Sequence, residues 1–268
     1  MTIFIVDEKS MFIDSHCHLD RIDLSPYTNN FDEYLATTEA DSLEHMLCVS
    51  INWEAYPAMR DLVKAKPNIS FSVGVHPNEC DGHDPSAKEL IDAAISDKAI
   101  AIGETGLDYA RLDNEGDKIR QQNRFREHIH AAKETNKPLI IHTRDAKDDT
   151  IAIMQQERAG DAGGVLHCFT EDWEMAQKAL DLGFYISFSG IVTFKNATQV
   201  HDVARKVPND RFLIETDSPY LAPVPMRGKP NYPNYVRYVA AKVAEIKALS
   251  INEVADLTRL NFDNLFNR

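Results

Sequence analysis

Short apolar runs recur along the whole chain: MFID (11–14), HMLCVSI (45–51), ISFSVGVH (69–76), AIAIGETG (99–106), PLIIHT (138–143), GVLHCF (164–169), FYISFSG (184–190) and FLIETD (212–217). They are rich in β-branched and aromatic residues and nearly continuous rather than alternating. Strands buried on both faces read this way, as in a parallel sheet. Between them lie amphipathic stretches with helical period. In RQQNRFREHIHAAKETNKP, Phe125, Ile129 and Ala132 recur at steps of four and three before Pro138. EDWEMAQKALDLG closes on Gly183 as a C-terminal cap, and SINEVADLTRLNFDNLF opens with Ser250 and Glu253 in capping-box spacing.

Strands alternating with helices, with no Pro/Gly/Ser-rich linker between them, predict a single (β/α)8 TIM-type barrel over residues 11–268. Residues 1–10 read as an N-terminal extension, with Met11 an alternative start. A doubly wound open sheet is the alternative. It usually has fewer strands and often a glycine-rich nucleotide loop, and neither GxGxxG nor GxxxxGK[ST] occurs here.

Composition narrows the function classes. At 268 residues and 43% hydrophobic, the chain can bury one large core. A net charge of −13 argues against a broad basic surface that grips nucleic acid by charge alone, though not against a local basic site or bound metals. The four cysteines (Cys17, Cys48, Cys80, Cys168) form no CxxC pair, which suits a reducing compartment. The start has no basic segment, and the uncharged stretch before Lys195 is too short for a bilayer and is broken by serines. The expectation is a cytoplasmic protein with no membrane association and no obligate protein partner.

Two histidine pairs share one spacing, His16/His18 and His128/His130. On a strand, residues i and i+2 face the same way, so His16 and His18 project together. On a helix that spacing separates side chains by roughly 200°, so His128 and His130 cannot share a ligand and read as solvated helix residues. Other chemistry-bearing residues also fall near strand ends: His76, Glu104, His142, His167 and Asp217. A barrel places such residues at one mouth. Buried imidazoles and carboxylates are costly unless paired or bound to a cation. Four imidazoles (His16, His18, His142, His167) with Glu104 and Asp217 suit two divalent cations, Mg, Mn, Zn or Ni, better than a cysteine-rich structural zinc. Glu104, central among the ligand-bearing strands, is the candidate bridge. Cys17 and Cys168 read as packing residues on the opposite faces.

The segments FIDSHCHLD, GVHP, GETGLDY, PLIIHTRDAKDDT, GVLHCFT and ETDSPYLAP together resemble the TatD family of metal-dependent hydrolases, over essentially Met11 to Arg268. The family is a barrel relative of the amidohydrolases and includes deoxyribonucleases. The resemblance implies that His16, His18 and Asp217 hold one metal, His142 and His167 the other, and that Glu104 bridges both. Phe212, where a leucine is usual, and Ala110, where another aromatic is common, depart from the pattern without touching a ligand.

The expected activity is divalent-metal-dependent hydrolysis of phosphodiester bonds in single-stranded DNA or RNA by a two-metal-activated water. Glu104 and Asp217 are the catalytic candidates, with Asp217 as general base. His76, Arg144 and Arg227 are candidates for holding phosphate. Arg144 could instead pair with Asp145 or Asp148, and His76 could be a turn residue before Pro77. The loop 221–234 is expected to overhang the mouth, presenting Arg227, Lys229 and Tyr232 to a polyanion, or else to be a rigid surface loop. The alternative substrate is a carbonyl ester or amide, such as an aminoacyl-tRNA ester, attacked at the same centre. A non-catalytic scaffold is the third reading, and the intact ligand set opposes it.

Overall fold

A computed structural model describes residues 11–40, 43–112 and 114–267. The ten residues read as an extension lie outside that range. Each apolar run becomes a strand: β1 (Phe12–Cys17), β2 (Leu43–Cys48), β3 (Ile69–Val73), β4 (Ala99–Asp108), β5 (Leu139–Arg144), β6 (Gly164–Leu166), β7 (Tyr185–Phe188) and β8 (Phe212–Ile214). They form one parallel sheet in sequential order. The ring closes just past β8, where the His18 amide donates to the Ser218 carbonyl (2.8 Å) and the Asp217 amide to the His16 carbonyl (2.9 Å). The barrel read from the sequence is therefore the fold observed.

Helices α1 (Phe31–Ala40), α2 (Tyr56–Val63), α3 (Ala87–Ala93), α4 (Glu115–Thr135), α5 (Lys147–Gln156), α6 (Trp173–Asp181), α7 (Thr198–Lys206) and α8 (Val236–Lys247) connect or follow the strands, and α9 (Ile251–Phe266) ends the chain. Side chains alternate across each strand, so the sheet serves two cores. Phe12, Met46 and Phe71 pack outward against the helices. Ile13, Leu47, Ala101, Ile140 and Leu213 fill the interior with Phe262 and Phe266 of α9. Asn261 fastens that helix to the starts of the strands by donating to the Phe212 carbonyl (2.9 Å). The capping box of Ser250 and Glu253 opens α9 as its spacing predicts. Among the described residues, α9 plugs the lower end of the barrel, which leaves the C-terminal ends of the strands as its mouth.

Gly106 sets the spacing at that mouth. It lies opposite His142 in the β4–β5 register, with φ +124°, and a Cβ there would fall 2.1 Å from the His142 carbonyl oxygen. Only glycine allows β4 to approach β5 this closely in that conformation.

The reading of His128 as a solvated helix residue is wrong. His128 is fully buried on the inner face of α4, beside Phe125 and Ala132. The Val75 amide donates to its Nε2 (3.1 Å), so the ring proton sits on Nδ1, which donates to the Arg124 carbonyl (2.8 Å). His130 is the exposed member of the pair and meets Glu157 at 3.0 Å. Burial holds the His128 pKa down at about 4, against an ordinary 6.5. Protonating Nε2 would also break the bond from Val75. Between those values the unfolded chain binds the extra proton, so stability falls as pH drops below about 6.5 and the loss is complete near 4. The expected cost is about 2 kcal/mol at pH 5. Urea unfolding at pH 7.5 and 5 measures it. A His128→Gln variant should lose stability at pH 7.5 but show a smaller drop between the two pH values. An unchanged drop would remove His128 as its source.

Candidate metal centre

Seven of the side chains selected from sequence meet at the mouth: His16, His18, His76, Glu104, His142, His167 and Asp217. Glu104, deep in β4 and 2% exposed, stands at the centre. Its two carboxylate oxygens face different partners. Oε2 lies 3.4 Å from His16 Nε2 and 3.9 Å from His18 Nε2. Oε1 lies 2.7 Å from His167 Nε2, 3.3 Å from His142 Nδ1 and 3.4 Å from His76 Nε2. Asp217 joins the first group, its Oδ1 3.3 Å from His18 Nε2 and 3.7 Å from His16 Nε2. One carboxylate thus separates two donor sets.

A surrounding layer of acceptors fixes the tautomers. His18 Nδ1 donates to the Val49 carbonyl (2.9 Å), His142 Nε2 to Asp108 Oδ2 (3.2 Å), and His167 Nδ1 to Glu215 Oε1 (3.2 Å). Each of these rings therefore turns its other nitrogen inward, a lone pair once that nitrogen gives up any proton. Asp108 and Glu215 are themselves held, Asp108 Oδ2 by Asn78 Nδ2 (2.7 Å) and Glu215 Oε1 by the Cys168 amide (2.7 Å). Histidine metal ligands are supported in this manner, the outer nitrogen bonded to a carbonyl or carboxylate. His167 Nε2 is buried without a hydrogen-bond partner, although it is aimed at Glu104. Converging ring nitrogens, carboxylates and an inner nitrogen without a hydrogen-bond partner make a donor set that fits divalent cations with mixed N/O ligands, the cation taking the place of any ring proton.

The electrostatics agree. Burial pushes the Glu104 carboxyl up, but the imidazoles of His167, His76, His142 and His16 outweigh it and hold the group well below the ordinary carboxylate range. Burial also lowers His76, to about 3, against the pull of Glu104, so His76 is neutral and the charge facing Glu104 resides chiefly on His167. For His167, the burial penalty is exceeded by Glu104 and Glu215, which raise its pKa well above the usual value. Asp217 stays below the usual range because His18 and its neighbours overcome its desolvation. Without a cation, Glu104 remains an anion held by imidazolium.

His76 lies in the loop after β3. The Asn78 amide donates to its Nδ1 (3.0 Å), so the ring proton sits on Nε2 and faces the site as a neutral donor. It is 17% exposed and His142 19%, whereas His16, His18 and His167 are at most 3%, so the mouth opens over His76, His142 and Asp217.

Arg144 and Arg227 lie outside the cluster. Arg144 is exposed at the end of β5, and no ion pair with Asp145 or Asp148 occurs among the described residues. Arg227 is exposed on the loop after β8, stacked 4.1 Å over the Phe194 ring. Lys229 is exposed on the same loop, but Tyr232 is not presented to the mouth. Its ring is buried among Tyr27, Tyr34 and Tyr235, and its hydroxyl donates to the Asp23 carbonyl (2.9 Å). Cys17 is buried, its thiol bonded to the Leu47 carbonyl, as its packing role predicts. Cys168 is only partly buried, its Sγ 3.1 Å from Ser189 Oγ. Asp108, Asn78 and Glu215 were not selected from sequence, although Asp108 and Glu215 lie in segments that carry the family resemblance.

Comparisons with known proteins place the chain in a family. A family model described as "TatD related DNase" matches residues 13–267. The "Uncharacterized metal-dependent hydrolase YcfH" of Escherichia coli strain K12 is 51% identical over 255 residues, covering 95% of this chain and 95% of the relative. The "Uncharacterized metal-dependent hydrolase YabD" of Bacillus subtilis strain 168 is 38% identical, covering 96% of this chain and 99% of that one. Among solved structures, the TatD homologue YJJV of Escherichia coli K12 superposes with a TM-score of 0.87 at 27% identity, covering 96% of this chain and 98% of its own. Among the described residues, no helix is long and apolar enough to cross a membrane.

Proposed function

The chain belongs to the TatD family of metal-dependent hydrolases, and from that premise we propose that it is a nuclease that hydrolyses phosphodiester bonds of single-stranded DNA or RNA. The observation that carries this reading is the carboxylate of Glu104 turned with one oxygen toward each of two imidazole sets. His16, His18 and Asp217 would hold one divalent cation, His142 and His167 a second, and Glu104 both. Bound there, the cations supply Lewis acidity at a phosphoryl oxygen and lower the pKa of water toward neutrality.

The remaining steps belong to the chain's own residues. Asp217 keeps one oxygen on His18 and is partly open to solvent, so its carboxylate is the base placed to accept a proton from the attacking water. His76, neutral and donating from Nε2, is placed to bond a non-bridging phosphate oxygen without adding charge. Arg144 and Arg227 would meet flanking phosphates at the rim, Arg144 through its planar fork. With a net charge of −13, these few cations must act locally rather than through a broad field.

Cleavage of an end-labelled single-stranded oligonucleotide tests the proposal. Metal-stripped protein should be inactive, and Mg²⁺, Mn²⁺, Zn²⁺ or Ni²⁺ should restore laddering from one end. Silence with every metal in protein shown to bind them, together with hydrolysis of an aminoacyl ester, would replace the phosphodiester with a carbonyl substrate.

A further inference from the structure

Tyr220 is the one aromatic residue among the exposed large hydrophobic side chains of the described residues, with 47% of its surface open. It stands at the metal centre. Its ring centroid lies 5.9 Å from that of His18, the planes inclined at 64°. Its backbone is fixed from both sides. The Tyr220 amide donates to the Asp217 carbonyl (2.9 Å), and its own carbonyl accepts from Asn231 Nδ2 (2.5 Å). Asn231 is fully buried and also donates to the Thr216 carbonyl (2.9 Å), so the turn carrying Asp217 also carries the ring. The nearby aromatics Tyr27, Tyr34 and Tyr232 contact one another. No such neighbour covers Tyr220, and its hydroxyl has no hydrogen bond among the described residues.

We propose that Tyr220 is a stacking platform for an unpaired nucleobase next to the scissile phosphate, a specificity element for single-stranded ends. This rests on the phosphodiesterase reading above. An open aromatic face recognises any base through its π surface, and a base already stacked within a duplex cannot use it. Because the ring shares a turn with Asp217, a base held there fixes the position of its own phosphate relative to the metal ligands. Selection would thus follow strandedness rather than sequence.

The test is steady-state kinetics with Mn²⁺ on two oligonucleotides of equal length, one with normal bases and one with abasic tetrahydrofuran residues at both ends. Wild type, Tyr220→Phe and Tyr220→Leu are compared. The wild-type KM should be about tenfold lower for the base-bearing strand. Tyr220→Phe should keep that ratio. Tyr220→Leu should bring it close to one. A wild-type ratio in Tyr220→Leu, or loss of the ratio in Tyr220→Phe, would overturn the platform. Equal KM for both strands in an active wild type would overturn the platform alone. Cleavage of neither strand would remove the phosphodiesterase reading and the platform with it.

Discussion

Glutamine in place of Glu104 is expected to lower kcat by about a thousandfold or more while leaving the metal-free fold intact. The side chain is almost isosteric, and it is buried at the centre of the mouth rather than packed in either core. Its chemistry changes in two ways. The negative charge disappears, and one oxygen becomes an NH₂ that can only donate. Whichever way the amide turns, one imidazole set loses its Glu104 oxygen, either His16 and His18 or His142 and His167. Metal affinity should fall at one position at least. Circular dichroism and thermal unfolding in chelator should match the wild type, because the lost anion was paired only with histidines that can deprotonate. Activity within tenfold of wild type would show that Glu104 is not shared between the two sets.

The second large effect lies away from the proposed ligands, at Arg124 on α4. Its guanidinium is 1% exposed and ties down the loop after β3. Nη1 donates to the carbonyls of His76 (2.6 Å) and Pro77 (3.3 Å), Nη2 to that of Glu79 (2.7 Å), and Nε to Asp84 Oδ1 (2.6 Å). Arg124→Met keeps most of the volume but leaves these acceptors unpaired. The expected loss is about 4 kcal/mol of stability, measured by urea unfolding. Arg124→Lys retains the charge without the planar fork, so it should recover only part of the loss. The loop also carries Asn78, which holds Asp108 against His142, and His76 itself. Folded Arg124→Met should therefore be less active than wild type, chiefly in kcat. A loss below about 1 kcal/mol would mean that water replaces the guanidinium at these carbonyls.

Much of this was legible in the sequence, for a physical reason. Strands buried on both faces must be continuously apolar, so the runs stand out, and barrel geometry then collects the residues near their ends. Boundaries were less legible. AIAIGETG ends at Gly106, but β4 continues to Asp108 because the glycine keeps its hydrogen bonding to β5. Helix α4 begins at Glu115, five residues before the stretch that carries the apolar spacing, because Asn114 and Asp117 form a capping box within a charged stretch.

His128 was misread by comparing it with His130 alone. It falls three residues after Phe125 and four before Ala132, on the apolar stripe, and that spacing carried the signal. Asp108 and Glu215 were missed for another reason. Their partners, His142 and His167, lie on other strands, 34 and 48 residues away in the chain. Only the closed barrel brings these outer bonds together. Tyr232 was expected to face the mouth, where Tyr220 stands instead. Both lie in the segment after β8, and only the packing of Tyr27 and Tyr34 shows that the former is covered and the latter open.

The most direct measurement is metal stoichiometry. Chelator-stripped wild-type protein would be dialysed to equilibrium against Mn²⁺ and its bound metal counted, with Glu104→Gln alongside. Two ions per wild-type chain, and fewer in the variant at the same free concentration, is the result expected of a carboxylate shared between two donor sets. One ion or none in the wild type, or equal occupancy in the variant, would contradict it.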